Sequence, residues 1–487
     1  MTAVPARPAI RPSPVMPTPA ALSYHDAVAA LAERGRFGIR LGLGRTRALL
    51  RELGDPQLEI RGALVAGTNG KGSVIALCGA VLRAEGLRVG ETPKPHLVTY
   101  RERIVVDGRP ISASDFARHV AAVLPAAHRV ARRLGPLTEF ELLTAVVFRH
   151  FAEARLDVAL VEVGLGGRLD ATHAWDGGVA VVTNVSLDHM DRLGSTIEAI
   201  AHEKAAIIMR GDLAVTGAEG GALAVVRRRA ARLRVPLRTV PPAPLLASDR
   251  DGIVVRLGSL GETRIGLRGR HQAANAAVAD ATLDALQDSG IAIASPAARR
   301  TGYAAATWPG RLELVSVDGP RGPLDVLLDG AHNPAGAAAL ARALDDLRPY
   351  LDDPSSGAAA GRRKRDATAS GPARRAAPLT VVTATMADKD VDGVVRALAS
   401  ADAVHGARVI ATQVGGGRAL AADALAARWA ALAPGTLVEA IPDPGAALDR
   451  AVASANGPIV VAGSLYLVGF ARARLVDDPE LSDPIDR

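Results

Sequence analysis

The segment Gly67-Thr68-Asn69-Gly70-Lys71-Gly72-Ser73 constrains the fold more than any other part of the chain. It follows the apolar run Leu58 to Val65 and precedes an Ala-rich stretch from Val74 to Leu87. Strand, glycine loop and helix in that order build a phosphate-binding unit. Gly67, Gly70 and Gly72 permit the tight turn that aims backbone N–H groups at phosphate oxygens, and the following helix adds its positive end. Lys71 offers a cation to the β- and γ-phosphates, and Ser73 a hydroxyl to Mg²⁺. The spacing departs from the usual P-loop: Thr68 and Asn69 alone separate Gly67 from Gly70, and Gly72 lies between Lys71 and Ser73. A purely structural turn is the competing reading.

Further apolar runs end in polar or glycine clusters, Val158 to Val163 before Gly164 and Val179 to Val182 before Thr183-Asn184. Helical stretches separate them, which predicts a parallel sheet covered on both faces. Ligands gather beyond the carboxyl ends of such strands, where Glu162, Asn184 and Asp188 stand. Residues 212–267 read as short strands and turns, a β-rich appendage. A second α/β series follows the turn Trp308-Pro309-Gly310-Arg311: Val326 to Leu328, Leu379 to Thr383, Arg408 to Thr412, Leu437 to Ile441 and Ile459 to Ala462. The expected fold class is α/β, a P-loop-type, mainly parallel ATPase domain plus a smaller Rossmann-like C-terminal domain. The expected divisions are a disordered tail over 1–21, an ATP-binding domain over 22–307 and a C-terminal domain over 308–487. A basic disordered loop is expected at about 353–378. A chain of 487 residues is long enough for two or three cores.

The net charge of +7 invites a nucleic-acid reading. Most of it, however, lies in one low-complexity stretch, where Arg362, Arg363, Lys364, Arg365, Arg374 and Arg375 face one acid, Asp366. A solvated loop accounts for that, so neither nucleic acid nor membrane is expected as a partner. The single cysteine, Cys78, excludes an intramolecular disulfide and sits in an apolar run, as a packed thiol would. The first 21 residues lack the apolar core of a signal peptide, and no run of about 18 uncharged apolar residues follows. A cytoplasmic protein is expected.

Four clusters carry chemistry besides the loop. Glu162 ends a hydrophobic strand, where a carboxylate needs a cation or donors; a Mg²⁺ ion or a pairing with Arg168 would satisfy it. Asp188-His189 follows the next strand closely, and His189 reads as a ligand, a base or a satisfied core residue. Lys204 lies in an otherwise apolar helix, so a local acid or a chemical change must compensate its charge. Asp329-Gly330-Ala331-His332-Asn333-Pro334 repeats the strand-and-polar-turn pattern in the second half. Asp329 there reads as a contact to a ribose hydroxyl or an orienting group.

In order along the chain, these segments closely resemble the folylpolyglutamate synthase / dihydrofolate synthase family within the Mur ligase group. The resemblance covers about Gly38 to Gly469. It rests on Gly42-Leu43, Gly67 to Ser73, Pro95-His96-Leu97, Arg103-Ile104, Thr138 to Glu141, Glu162 to Thr172, Asp188-His189 and Glu203-Lys204-Ala205. It continues with His271-Gln272 and Asn275, Trp308 to Arg311, Asp329 to Asn333, and Asp388-Lys389-Asp390. The resemblance implies an ADP-forming ligase: ATP phosphorylates a folate or dihydropteroate carboxylate, and the amine of L-glutamate attacks the acyl phosphate. It implies ATP and Mg²⁺, two ions, as cofactors, with Ser73, Glu162, His189 and Lys204 as metal ligands. Lys204 matches a lysine that is carbamylated in the family. Lys71, Lys204 and His189 are the implied catalytic residues. The ATP contacts are Thr68 through Ser73, Asn275, Arg311, Asp329 and His332. The pterin would lie on Phe140, with Thr138, Leu169, Asp170 and Ala171 around it. The family resemblance also implies a monomer.

Three positions depart from the family pattern: Lys94 where Ser is usual, His173 where Asn is usual, and Met190 where Thr is common. An ammonium at position 94 would displace a cation or contact phosphate instead. Two other functions compete, a non-catalytic nucleotide-binding homologue and an amino-acid ligase for peptidoglycan precursors.

Overall fold

The computed structural model describes residues 22–35, 40–351 and 377–483. The expected N-terminal tail and most of the basic insert lie outside the described residues. Among the described residues three sheets are formed. The first contains β1 (Gly62–Ala66), β2 (Val89–Thr92), β3 (Val105–Val106), β4 (Arg109–Pro110), β5 (Val158–Glu162), β6 (Gly178–Val182), β7 (Leu213–Thr216) and β8 (Leu237–Thr239). Their spatial order is β4-β3-β2-β5-β1-β6-β7-β8. All neighbours are parallel except β2-β3 and β3-β4.

The reason these strands read as unbroken apolar runs is visible in β1. Ala63 and Val65 pack into one core with the helices Lys71–Ala84 and Gln272–Asp288. Leu64 and Ala66 pack into another, with the helices Tyr24–Gly35, Ala113–Leu134 and Glu139–Ala154. Alternate residues face opposite sides of a strand, so a sheet covered on both faces must be apolar throughout. Each fully buried Val, Leu or Ile contributes about 1.5–3 kcal/mol.

The segment expected to be a β-rich appendage is different. Leu213–Thr216 and Leu237–Thr239 extend the main sheet, and Gly220–Leu233 between them is a helix. Its buried residues Ala222, Val225, Val226 and Ala230 recur at helical spacing. The run Arg227-Arg228-Arg229 between them masks that periodicity. A separate antiparallel sheet is confined to β9 (Leu245–Asp249), β10 (Gly252–Leu257) and β11 (Gly261–Ile265).

The third sheet holds β12 (Glu313–Gly319), β13 (Gly322–Asp329), β14 (Thr380–Thr383), β15 (Arg408–Ala411), β16 (Leu437–Ala440) and β17 (Ile459–Ala462). They run in the order β12-β13-β17-β14-β15-β16, parallel except for β12-β13. Alternating residues again feed two cores: Leu327, Val381 and Val460 enter one, Val326, Val382 and Val461 the other. The two halves are in direct contact. The helix Leu465–Leu475 presses so closely on the first half that a Cβ on Gly469 would lie 2.0 Å from the carbonyl oxygen of Leu97.

Candidate active site

The first sheet's order dictates where a site can form. β1 lies between β5 and β6, so the loop leaving β1 is flanked by the carboxyl ends of both. Glu162 is the last residue of β5, and Thr183-Asn184 follow β6. The connection leaving β1 runs to the β2 side and the one leaving β6 to the β7 side, which makes this the position at which open α/β sheets bind ligands.

The loop is held by its neighbours as well as by its own turns. The Asn69 N–H donates to Asn184 Oδ1 at 2.9 Å, and Thr183 Oγ1 donates to the Asn69 carbonyl at 2.7 Å. Thr68 Oγ1 bonds both backbone groups of Ser186. Gly70, with φ of 81°, stands before the helix Lys71–Ala84 in the left-handed region, where a side chain is strained. At Gly72 the constraint is contact: a Cβ would lie 2.5 Å from the Trp308 ring. Sequence reasoning gave Trp308 only a place in a turn, yet it closes the loop from the side.

Three lysines approach this loop. Lys71 Nζ donates to the Gly67 and Thr68 carbonyls, both at 3.1 Å, and lies 3.8 Å from Glu162 Oε1. Lys204 Nζ, buried, donates to the Gly67 carbonyl at 2.9 Å. Burial, reinforced by the Lys71 charge, lowers the Lys204 ammonium to a pKa of about 7. Among the described residues no carboxylate forms an ion pair with it. Lys94 donates through its backbone N–H to Glu162 Oε2 at 2.8 Å, and through Nζ to the Glu162 carbonyl. Desolvation brings Lys94 to about 8, against the opposing pull of Asp170 and Glu162.

Glu162 is 3% exposed. Burial pushes its carboxyl above the usual carboxylate range, while Lys71 and the Lys94 N–H pull the other way. The alternative partner, Arg168, is engaged elsewhere, with Glu203 at 2.8 Å. Ser73, 6% exposed, meets the side-chain amide of Gln272 at 3.4 Å, and Gln272 in turn accepts from Asn275 at 2.8 Å. Asn275 also covers the loop, 2.2 Å from where a Cβ on Gly70 would lie.

His189 adopts a left-handed backbone, φ 49°, before the short helix Met190–Leu193. Its ring is 44% exposed and lies 4.0 Å from Asp188 Oδ1. Among the described residues no three His, Cys, Asp or Glu side chains gather as one metal-binding group. The side chains brought to the loop are therefore Lys71, Ser73, Glu162 and Lys204, with His189 at the rim.

Asp188 is the link to the other sheet. It accepts from Lys389 Nζ at 3.1 Å and from Asn333 Nδ2 at 3.0 Å. Burial opposes its charge, but His189 and Lys389 outweigh that and hold its carboxyl at about 2. The sequence marked Lys389 and Asn333 only as motif members. Lys389 stands 201 residues from Asp188, and no local pattern pairs them.

The remaining candidates divide. Phe140 is partly exposed, and the Lys94 ammonium stands 4.9 Å from its ring centroid. Leu169 is partly buried and Ala171 buried. Thr138 is occupied as a helix cap, trading hydrogen bonds with Glu141. Asp170 braces its own turn: Oδ2 accepts from the Gly164 and Leu165 N–H groups, and Oδ1 from the Thr172 N–H and hydroxyl. Asp329 does the same at the end of β13, accepting from the Leu312 and Ala331 N–H groups, both at 2.9 Å. His332 Nδ1 meets the Gly330 carbonyl at 2.8 Å, and burial lowers its pKa to about 4. Arg311 donates to the Gly310 carbonyl, and its guanidinium covers Gly330.

A glycine loop at the switch point of a doubly wound sheet, bridged through Asp188 to a second α/β sheet, is the arrangement of a Mur-type ligase. The Mur ligase middle domain model matches residues 138–283. More specifically, the chain belongs to the dihydrofolate synthase/folylpolyglutamate synthase family. It is 38% identical to the Bacillus subtilis dihydrofolate synthase/folylpolyglutamate synthase, over 66% of this chain and 76% of that one. To the Mycobacterium tuberculosis counterpart it is 33% identical, over 96% and 97%. Among solved structures it is similar to Mycobacterium tuberculosis folylpolyglutamate synthase complexed with ADP and AMPPCP. The TM-score is 0.77 and the identity 33%, covering 93% of this chain and all of that one. The Yersinia pestis bifunctional enzyme complexed with AMPPNP and Mn ion gives a TM-score of 0.73 at 28% identity, covering 94% and 99%.

Proposed function

We propose that this chain is an ATP-dependent ligase that activates the carboxylate of dihydropteroate or a folate as an acyl phosphate and joins it to L-glutamate. One observation carries the reading: Lys71, Glu162 and Lys204 meet at the glycine loop that carries Ser73, and Lys94 joins Glu162 to the partly exposed Phe140 ring. A carboxylate anion is a poor electrophile. Its activation needs a phosphoryl donor, a cation to mask the charge, and a surface that fixes the acceptor's flat ring nearby.

The donors present suit a divalent metal. Ser73 and Glu162 are buried oxygen ligands at a phosphate loop, and Mg²⁺ favours one or two carboxylates completed by phosphate and water. Bound there, the ion would neutralise charge on the transferring phosphoryl group. Lys71 holds the same charge from the loop, and Lys204, as its carbamate, would add an anionic ligand, with His189 at the rim. Asn275, Arg311, Asp329 and His332 belong to this reading as the nucleotide's flanking groups. Thr138 and Asp170 act by fixing the acceptor pocket through their backbone bonds, with Leu169 and Ala171 lining it. The reading treats 22–307 as the ATP-binding domain and 308–487 as the glutamate-ligase domain, supported by the separate sheets of 62–239 and 313–462. It further takes the protein as a cytoplasmic monomer. Among the described residues no helix is long and apolar enough to cross a membrane.

The test is glutamate incorporation by purified protein with ATP, Mg²⁺ and labelled L-glutamate, offering dihydropteroate, a tetrahydrofolate or a peptidoglycan nucleotide precursor. Incorporation with a pterin acceptor is expected. Incorporation only with the nucleotide precursor, or no ADP release with any acceptor, overturns the reading. Lys204→Ala should cut turnover strongly, and near-normal rates without added bicarbonate would exclude the carbamate role.

A further inference from the structure

Arg103 is a partly buried cation that the proposed chemistry leaves unused. It ends a segment whose two ends are both tied to the site. At one end the Lys94 N–H holds Glu162; at the other the Tyr100 hydroxyl donates at 2.9 Å to Glu139, the residue before Phe140. The neighbouring acids do not neutralise Arg103. Glu102 turns back along the chain and accepts from the N–H groups of Leu97, Val98 and Thr99. Glu139 is engaged by Tyr100, and among the described residues no carboxylate forms an ion pair with the guanidinium. Burial opposes the charge, and Glu139, Tyr100, Tyr466 and Glu102 offset that only in part.

Within the described residues its one hydrogen bond runs from Nε to His96 Nδ1 at 2.7 Å, while the Tyr100 ring centroid lies 5.5 Å away. A guanidinium can only donate, so this bond fixes His96 as the neutral tautomer with its proton on Nε2. Burial and the Arg103 charge lower His96 to about 3, which preserves that state near neutrality. The two Nη groups of Arg103, the fork that matches a carboxylate, are left unpaired. Tyr466, in the first turn of the helix Leu465–Leu475, lies within the field of Arg103 from the other half of the molecule. That helix follows β17 and packs on Leu97 of the same segment, so Arg103 stands where the carboxyl end of the second sheet meets the first half.

We propose that Arg103, with the Nε2–H of His96, binds a free carboxylate of a glutamyl unit, brought either by the incoming L-glutamate or by a glutamylated acceptor. The inference rests on the ligase reading above. In that reaction the phosphates and the carboxylate being activated belong at the glycine loop, with Lys71, Ser73 and Glu162. The carboxylates that take no part in the new bond keep their full charge and need a cation of their own. A planar guanidinium answers a carboxylate with two parallel hydrogen bonds, which fixes orientation as well as position.

The test is a set of KM values for full-length native protein and Arg103→Met, which keeps the stem against Tyr100 without the charge. L-glutamate, acceptor and ATP are varied in turn, with dihydropteroate and with tetrahydrofolate as acceptors. Dihydropteroate brings only the carboxylate that reacts, so it separates the two sources. A rise of about 10–100-fold in the KM for L-glutamate with dihydropteroate, the scale for losing a charge-assisted pair, assigns the site to the donor. A rise of that size confined to the KM for tetrahydrofolate assigns it to the acceptor's glutamyl tail. The KM for ATP should stay unchanged in both cases. Arg103→Lys serves if the Met variant fails to fold; keeping the charge without the fork, it should raise the same KM by about 3–10-fold. A folded variant in which neither KM rises, or in which the KM for ATP rises with them, overturns the carboxylate site and leaves the ligase reading standing. No incorporation by the native protein with either acceptor overturns the ligase reading itself.

Discussion

The loop after β1 and the turn after β13 are built alike and used differently. Each leaves the buried end of a strand flanked by neighbours on both sides, and each carries glycine and polar residues. After β13 most of the polar atoms hold backbone of their own half: both Asp329 oxygens accept from backbone N–H groups and His332 turns back to Gly330, while Asn333 reaches across to Asp188. After β1 the bracing comes from outside, from Thr183, Asn184 and Trp308. Lys71, Ser73 and Glu162 are thereby left with little fixed partnership among themselves. A turn that satisfies itself contributes stability, whereas one satisfied by its neighbours keeps side chains available for a ligand.

The contrast can be broken most sharply at Lys71. Lys71→Ala should lower glutamate incorporation by about 100–1000-fold, the scale for losing one preorganised charge-stabilising group, with little change in melting temperature. A melting change as large as the rate change would show that the first loop is also self-supporting. In the other turn the expectation reverses. Asp329→Ala leaves two buried N–H donors unpaired at about 1–3 kcal/mol each, which thermal unfolding will register as a clear drop in Tm. Asp188→Asn weakens the bridge to Lys389 and Asn333, and kcat/KM for glutamate incorporation should fall about tenfold, or about 1.4 kcal/mol.

The smallest effect concerns pH. An unfolded chain protonates His332 near pH 6.5, whereas the folded protein does so only near 4. Between those values the unfolded state binds more protons, so stability falls as pH drops from about 6.5 to 4. In His332→Gln this part of the Tm-against-pH curve should flatten. An unchanged slope would remove His332 from the self-bracing turn.

The strands and the first loop were legible because their signals are local. β5 and β6 each form a short apolar run that stops at a polar residue, and the loop's glycines stand beside its lysine and serine. Glu162 was legible for the same reason, since an acid ending a buried strand is costly without a use. The helix Gly220–Leu233 was not, because three arginines interrupt its apolar spacing and adjacent glycines and valines suggest strands and turns. The Asp188–Lys389 bridge depends on how the two sheets meet, which no window of sequence contains. Thr138 and Asp170 show a third kind of limit. The family resemblance implies a place for them around the pterin, but whether a side-chain oxygen faces a ligand or its own backbone is decided only when the turn closes.

Cys78 lies in the helix behind the glycine loop, fully enclosed, with its thiol against the Ala279 carbonyl, and burial pushes that thiol up. Since it is the chain's sole cysteine, the protein is a natural background for site-directed probes. Cysteines placed at exposed Leu187 and Tyr466 could carry a dye pair with no native thiol to remove. The distance across the cleft could then be followed molecule by molecule as nucleotide and acceptor arrive.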